Sequence, residues 1–119
     1  FATDWIAAWN AHDLDRVLSH YRDDVSFVSP FATAHAGAQD GVVRGLPGLR
    51  RYFKRALDAY PELHFELIAA LAGVASVALH YRSIEGRESI EVMELDARSR
   101  VHRATAHYTH ARAKPDVTK

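Results

Sequence analysis

The sequence predicts one α+β domain in which three N-terminal helices pack on a curved antiparallel sheet. Three observations predict it. The first half carries helical periodicity, the second half carries strand alternation with tight turns, and 119 residues suit a single domain that can bury its own core. Helices first and strands afterwards is the α+β order, with the helices gathered on one sheet face.

Trp5, Ile6 and Trp9 give a short apolar helical face, which Asn10-Ala11-His12 breaks. Asp13 suits the cap of the next helix, since its carboxylate can accept free N–H groups there. Leu14, Val17, Leu18 and Tyr21 then follow the i, i+3, i+4, i+7 pattern. Arg22-Asp23-Asp24 reads as a turn, and residues 25–28 as a strand that ends at Pro30. Residues 31–41 are rich in Ala, Gly and Thr without periodicity, which predicts a long loop. Residues 42–44 form a short strand. Pro47 suits the first turn of the clearest helix, where no N–H is needed. Its apolar face carries Leu49, Tyr52, Phe53, Ala56, Leu57 and Tyr60, and Pro61 stops it. Arg50, Arg51, Lys54 and Arg55 form its solvated side.

Residues 63–67 alternate strictly, as a half-buried strand does. Ala72-Gly73 turns into a long strand over 74–84, Glu85-Gly86 turns into a strand over 88–95, and residues 96–99 turn into a last strand over 101–109. Four successive strands with short turns predict an antiparallel meander. Residues 1–110 make the domain, and 111–119 a polar tail.

Lys plus Arg equals Asp plus Glu at 15 each, which argues against a nucleic-acid partner. No apolar run reaches the ~20 residues needed to cross a bilayer, so no membrane partner is expected. The start has no charged stretch followed by a long apolar one, which predicts no signal peptide. Cysteine is absent, so there is no disulfide framework or thiolate metal site, which fits a cytoplasmic protein. The eight histidines show no zinc spacing, and no metal site is predicted.

The order helix, helix, strand, loop, helix, four strands resembles the nuclear-transport-factor-two-like superfamily and its SnoaL-like branch. Three stretches carry the resemblance: Asn10-Ala11-His12-Asp13-Leu14-Asp15 with Tyr21-Arg22-Asp23-Asp24-Val25, then Gly45 to Tyr60, then Ile90-Glu91-Val92-Met93-Glu94-Leu95-Asp96 with Arg100-Val101 and Ala106-His107-Tyr108. It implies a cone-shaped α+β barrel around an apolar pocket. The superfamily holds isomerases, dehydratases, hydrolases, cyclases and non-enzymes, so the fold does not supply the function. Among ketosteroid isomerases, the resemblance places the acid of the oxyanion hole on Glu91, the carboxylate base on Ser29 and the tyrosine on Trp5. A serine cannot unaided remove a carbon-bound proton at neutral pH, so steroid isomerisation is not expected.

With Glu91 inward, strand alternation turns Ser89, Met93 and Leu95 inward too. The resemblance turns Ala104, Ala106 and Tyr108 inward, and Tyr81 is placed inward on the middle strand. The candidate catalytic groups are Glu91, Tyr108 and a His35–Asp40 pair on the long loop, where acid–base work is feasible. The candidate ligand wall is Trp5, Phe27, Ser29, Phe53, Tyr81, Met93, Ala104 and Ala106. For each polar group an ordinary structural role competes, a core aromatic for the tyrosines and loop polarity for His35 and Asp40.

Three functions fit this reading: a cofactor-independent acid–base enzyme acting on a small apolar or cyclic molecule, a non-catalytic ligand-binding domain, or an interaction domain. No metal or organic cofactor is implied. Ile90 and Val92 point outward in this register, joined on the next strand by Val101 and Thr105, and a homodimer through that outer face is expected.

Overall fold

A computed structural model describes residues 1–35 and 39–109, and the polar tail lies outside the described residues. The elements run α1 (Ala2–Asn10), α2 (Leu14–Leu18), β1 (Tyr21–Val28), α3 (Ala32–His35), β2 (Val42–Arg44), α4 (Leu46–Ala59), β3 (Glu66–Ala72), β4 (Ser76–Arg82), β5 (Glu88–Leu95) and β6 (Val101–Tyr108). The three expected helices are α1, α2 and α4. The loop after β1 contains one extra turn of helix, α3.

The six strands form one sheet in the order β2-β1-β6-β5-β4-β3. Strands β3 to β6 are the antiparallel meander, and β1 joins it parallel to β6. The sheet curves over the helices but stays open, with β2 and β3 as its edges.

Several sequence expectations need correction. Tyr21 opens β1 rather than closing the second helix, and Arg22-Asp23-Asp24 lies within the strand. A register shift between Tyr21 and Ser26 sets Asp23 and Asp24 out in solvent while Tyr21, Val25 and Phe27 stay buried. The polar run that resembles a turn is therefore an irregularity in a strand. Val101 points inward and is fully buried, not outward. Leu95 pairs with Val101 but Glu94 pairs with Arg103, so β6 carries one extra residue there. The extra residue reverses the alternation between Val101 and Ala104.

Asp13 caps α2 as expected, its carboxylate accepting from the Arg16 N–H at 3.1 Å. Gly45 precedes α4 at φ +83°, a conformation that a side chain would strain. Asn10, read as a break, is a clamp: its amide donates to the Phe65 carbonyl at 3.0 Å and accepts from the Phe65 N–H at 2.7 Å. His12 bonds the Leu63 carbonyl at 2.9 Å. These bonds fasten the end of α1 to residues 63–65, which precede β3 instead of belonging to it. On α4, Leu49 and Phe53 enter the core. Arg50 pairs with Asp15 at 2.9 Å and Lys54 with Asp58 at 3.1 Å, as a solvated face does. No helix among the described residues is long and apolar enough to cross a membrane.

Candidate active site

The helices and the sheet form a partly open cavity of about 250 Å³. That lies just under the low end of the ~300–1,000 Å³ common for ligand pockets, which favours a compact ligand. Trp5 and Trp9 of α1, Phe27 of β1, Tyr52 and Phe53 of α4 and Tyr81 of β4 supply rings to its wall. Leu63 and Phe65 reach it because Asn10 and His12 hold their backbone. The rings brace one another: Trp5 meets Tyr81 edge-on at 5.4 Å, and Phe65 lies 4.8 Å from Tyr81.

Glu91 lies in this wall, buried at 2% exposure. Strand pairing explains its neighbours. Ser89 is the cross-strand partner of both Tyr81 and Tyr108, so the two phenols flank β5 one alternation step from Glu91. Diagonal neighbours at that spacing are within reach of long side chains. The Tyr81 hydroxyl donates to Glu91 Oε1 at 2.9 Å. Glu91 Oε2 has no partner among the described residues, and no cation pairs with the carboxylate there. Burial pushes the Glu91 carboxyl up to about 7, against a smaller opposing pull from the Tyr81 hydrogen bond.

Burial and the Glu91 charge hold Tyr21 and Tyr81 well above the ordinary phenol range. Tyr108 is raised by the same causes, opposed by the hydroxyls of Ser29 and Tyr81. These phenols stay protonated at neutral pH, so they donate or accept hydrogen bonds without serving as bases. Glu91 is the one cavity group among the described residues poised to give or take a proton near pH 7.

The residues expected in the site separate into groups. Glu91, Tyr108, Trp5, Phe27, Phe53 and Tyr81 all line the cavity. Ser29, Met93, Ala104 and Ala106 are buried but lie behind the wall, because these short or deeply packed side chains are out-reached by the rings. Ser29 Oγ accepts from the Tyr52 hydroxyl and from the Phe31 N–H, both at 3.2 Å, which makes it a link between loop and helix. Trp5 Nε1 donates to the Tyr21 hydroxyl at 3.0 Å, so its N–H is committed inside the core. Asp40 does not join the site. It pairs with Arg44 at 2.8 Å and accepts from the Val42 N–H at 3.1 Å, a loop brace in solvent. His35 closes α3, and its side chain lies outside the described residues, as does any pairing it makes.

Sequence reasoning missed Tyr52, Phe31 and Arg87, and it placed Arg55 on the solvated face although Arg55 also borders the cavity. The signal for Arg87 was present: it lies two residues before Ser89 and four before Glu91, on the same alternation. Among the described residues no group of three or more His, Asp or Glu could hold a metal ion.

The chain matches a family model, the SnoaL-like domain, over residues 2–114. No curated protein matches it. A SnoaL-like protein of unknown function from Burkholderia thailandensis is 48% identical, with 92% of each chain covered and a TM-score of 0.89. An epoxide hydrolase/cyclase-like enzyme, SalBIII, acting in pyran ring formation in the polyether salinomycin, shares the fold at 16% identity and a TM-score of 0.73, over 91% of this chain and 87% of that one. An NTF2-like protein of unknown function from Cytophaga hutchinsonii shares it at 10% identity and 0.72, over 91% and 86%. With a family model spanning nearly the whole sequence and a solved relative at almost half identity, the chain belongs to the SnoaL-like domain family.

Proposed function

We propose that the protein is a cofactor-independent acid–base enzyme that binds a compact apolar or cyclic molecule in its aromatic cavity. The observation that carries this reading is Glu91: enclosed, unpaired with any cation among the described residues, bonded through one oxygen only, and titrating near 7. A catalytic acid or base works best with a pKa near the working pH. In its ionised form Glu91 takes a proton from an acidic C–H or from an attacking water. Tyr81 steadies the charge by donating to Oε1. In its protonated form Glu91 returns the proton to carbon or oxygen. Isomerase, cyclase, dehydratase and hydrolase chemistry all use such a step. The kinship in fold with a hydrolase/cyclase-like enzyme supports this range of reactions.

Deuterium exchange at the α-carbon of a cyclic ketone tests it. The probe 2-tetralone should exchange in D2O at least ~100-fold faster with the protein than with Glu91→Gln. The rate should rise with pH and level off above 7. Binding of the ketone with equal exchange rates for the two proteins would mean a ligand-binding domain without catalysis.

Two copies pair through the outer sheet face in this reading. Ile90 is exposed there beside a half-buried Val92. With Val101 turned inward, the strip is narrower than the sequence suggests. Light scattering should give a dimer mass that Val92→Asp reduces to a monomer. A monomer mass for the unaltered protein would overturn the pairing.

A further inference from the structure

We propose that Arg87 receives the carboxylate of an acidic substrate at one end of the cavity while Glu91 works at the other. The inference rests on the reading of this cavity as a ligand site, and it names the substrate class: a carboxylic acid carried on a compact apolar or ring body.

Arg87 stands immediately before β5, on the same alternation as Ser89 and Glu91. Its backbone is pinned in a tight turn, where the Arg87 carbonyl accepts from the Ser83 N–H at 2.6 Å and the Arg87 N–H donates to Ile84 at 3.1 Å. Ser83, Ile84 and Arg87 all border the cavity. The side chain folds inward and is only 17% exposed. Its guanidinium lies 5.0 Å from the Phe31 ring centroid, and Phe31 packs on Tyr108 at 4.8 Å. This cation–π contact presets the orientation of the charge.

The charge so placed is poorly satisfied. Nε is fully enclosed and has no hydrogen-bond partner among the described residues. Its ion-pair carboxylate, on Glu85, is 4.0 Å from Nη2, at the outer limit of an ion pair, and 68% exposed. A guanidinium carries five N–H donors in a fixed fork, and enclosed donors are normally paired. An enclosed, pre-oriented and under-paired fork bordering a cavity is a seat for a planar oxyanion, and carboxylate matches it through two parallel bonds. Phosphate suits it less, because a dianion would carry a second, unpaired charge into a wall built of aromatic rings.

Spacing completes the description. At about 3.3 Å per residue, the backbones of Arg87 and Glu91 are roughly 13 Å apart along the strand. A molecule held by its carboxylate at Arg87 lays its body along the rings and presents the far part to Glu91.

Calorimetric titration of the full chain tests this with trans-cinnamate and 3-phenylpropionate, each against its primary amide, and with inorganic phosphate. The acids should bind at least ten-fold tighter than the amides. Arg87→Gln should bring the acids down to the affinity of the amides and leave the amides unchanged. Glu91→Gln should keep the preference for acids. Amides binding as tightly as acids, or acids binding Arg87→Gln unchanged, would overturn the role of Arg87 and leave the cavity reading standing. Phosphate displacing cinnamate at sub-millimolar concentration would overturn the carboxylate assignment. Binding of none of the organic probes at millimolar concentration would overturn the cavity reading and this inference together.

Discussion

Glu91→Gln should make the protein more stable at pH 8 by on the order of 3 kcal/mol, and leave stability nearly unchanged at pH 4.5. The sign follows from the two states of the carboxyl. Unfolded, it titrates at its ordinary 4.5; folded, at about 7. Between these values the native protein holds a proton that the unfolded chain has released. The stability tied to Glu91 is therefore fully present below pH 4.5 and is lost as pH rises through 7. Glutamine keeps the shape and carries no charge at any pH, so it escapes the loss. The aspartates whose carboxyls are held low, Asp4, Asp24, Asp40 and Asp96, act in the opposite direction but are common to both proteins. Thermal melts of the two proteins from pH 4.5 to 8.5 should diverge by roughly 10 °C at the alkaline end. Parallel curves would mean that Glu91 is hydrated or paired in solution. A substitution that stabilises the fold is what a carboxyl held against its own solvation should give.

Trp5→Ala should lose about 3–5 kcal/mol, the cost of emptying a buried aromatic site. Trp5 is 1% exposed and wedged between Trp9 at 6.1 Å, Phe65 at 6.0 Å and Tyr81 at 5.4 Å. Its N–H is the donor to the buried Tyr21 hydroxyl. The neighbours are braced from other sides, so they cannot collapse into the gap. The new void would open into the ligand cavity and admit water beside Glu91. The carboxyl should then titrate closer to its ordinary value. Trp5→Phe keeps one ring but removes the indole N–H together with the rest of the bicycle, so its loss should fall between the wild type and Trp5→Ala, at about 1–3 kcal/mol. Urea unfolding gives the energies, and carboxyl NMR gives the titration. A loss under about 1 kcal/mol for Trp5→Ala would show that the ring is not part of the core.

The legible parts of this site were those governed by local alternation. Ser89, Glu91 and Met93 share the buried face of β5 because the strand is regular from end to end. Tyr81 follows from the same count on β4, and Tyr108 lies in the cavity wall at the end of β6. Alternation misleads where a strand is irregular, as at Val101 and at Tyr21, because a sequence does not display the extra residue that resets the count. It is also silent on reach. Ala104 and Ala106 face inward as expected, yet the large rings form the wall. Long-range clamps such as Asn10 on Phe65 leave no local pattern at all. Arg87 was countable from Glu91, but its place beside Gly86 disguised it as part of a turn.

The extra residue in β6 bears on how the protein can change length over generations. Upstream of it, Val101 faces the core; downstream, Ala104 and Ala106 do. Losing one residue there would restore plain alternation and keep Val101, Ala104 and Ala106 on the buried face, whereas a loss between Ala104 and Tyr108 would turn one side of the strand over. On the other flank β6 meets β1, whose register is itself shifted between Tyr21 and Ser26. The irregular stretch is thus a place where a single-codon deletion spares the faces of the sheet, while a loss in the regular part of β5 or β6 turns them over. Heritable losses should collect there and in turns, such as the one between Asp96 and Arg100, where the chain reverses without carrying a wall of the cavity.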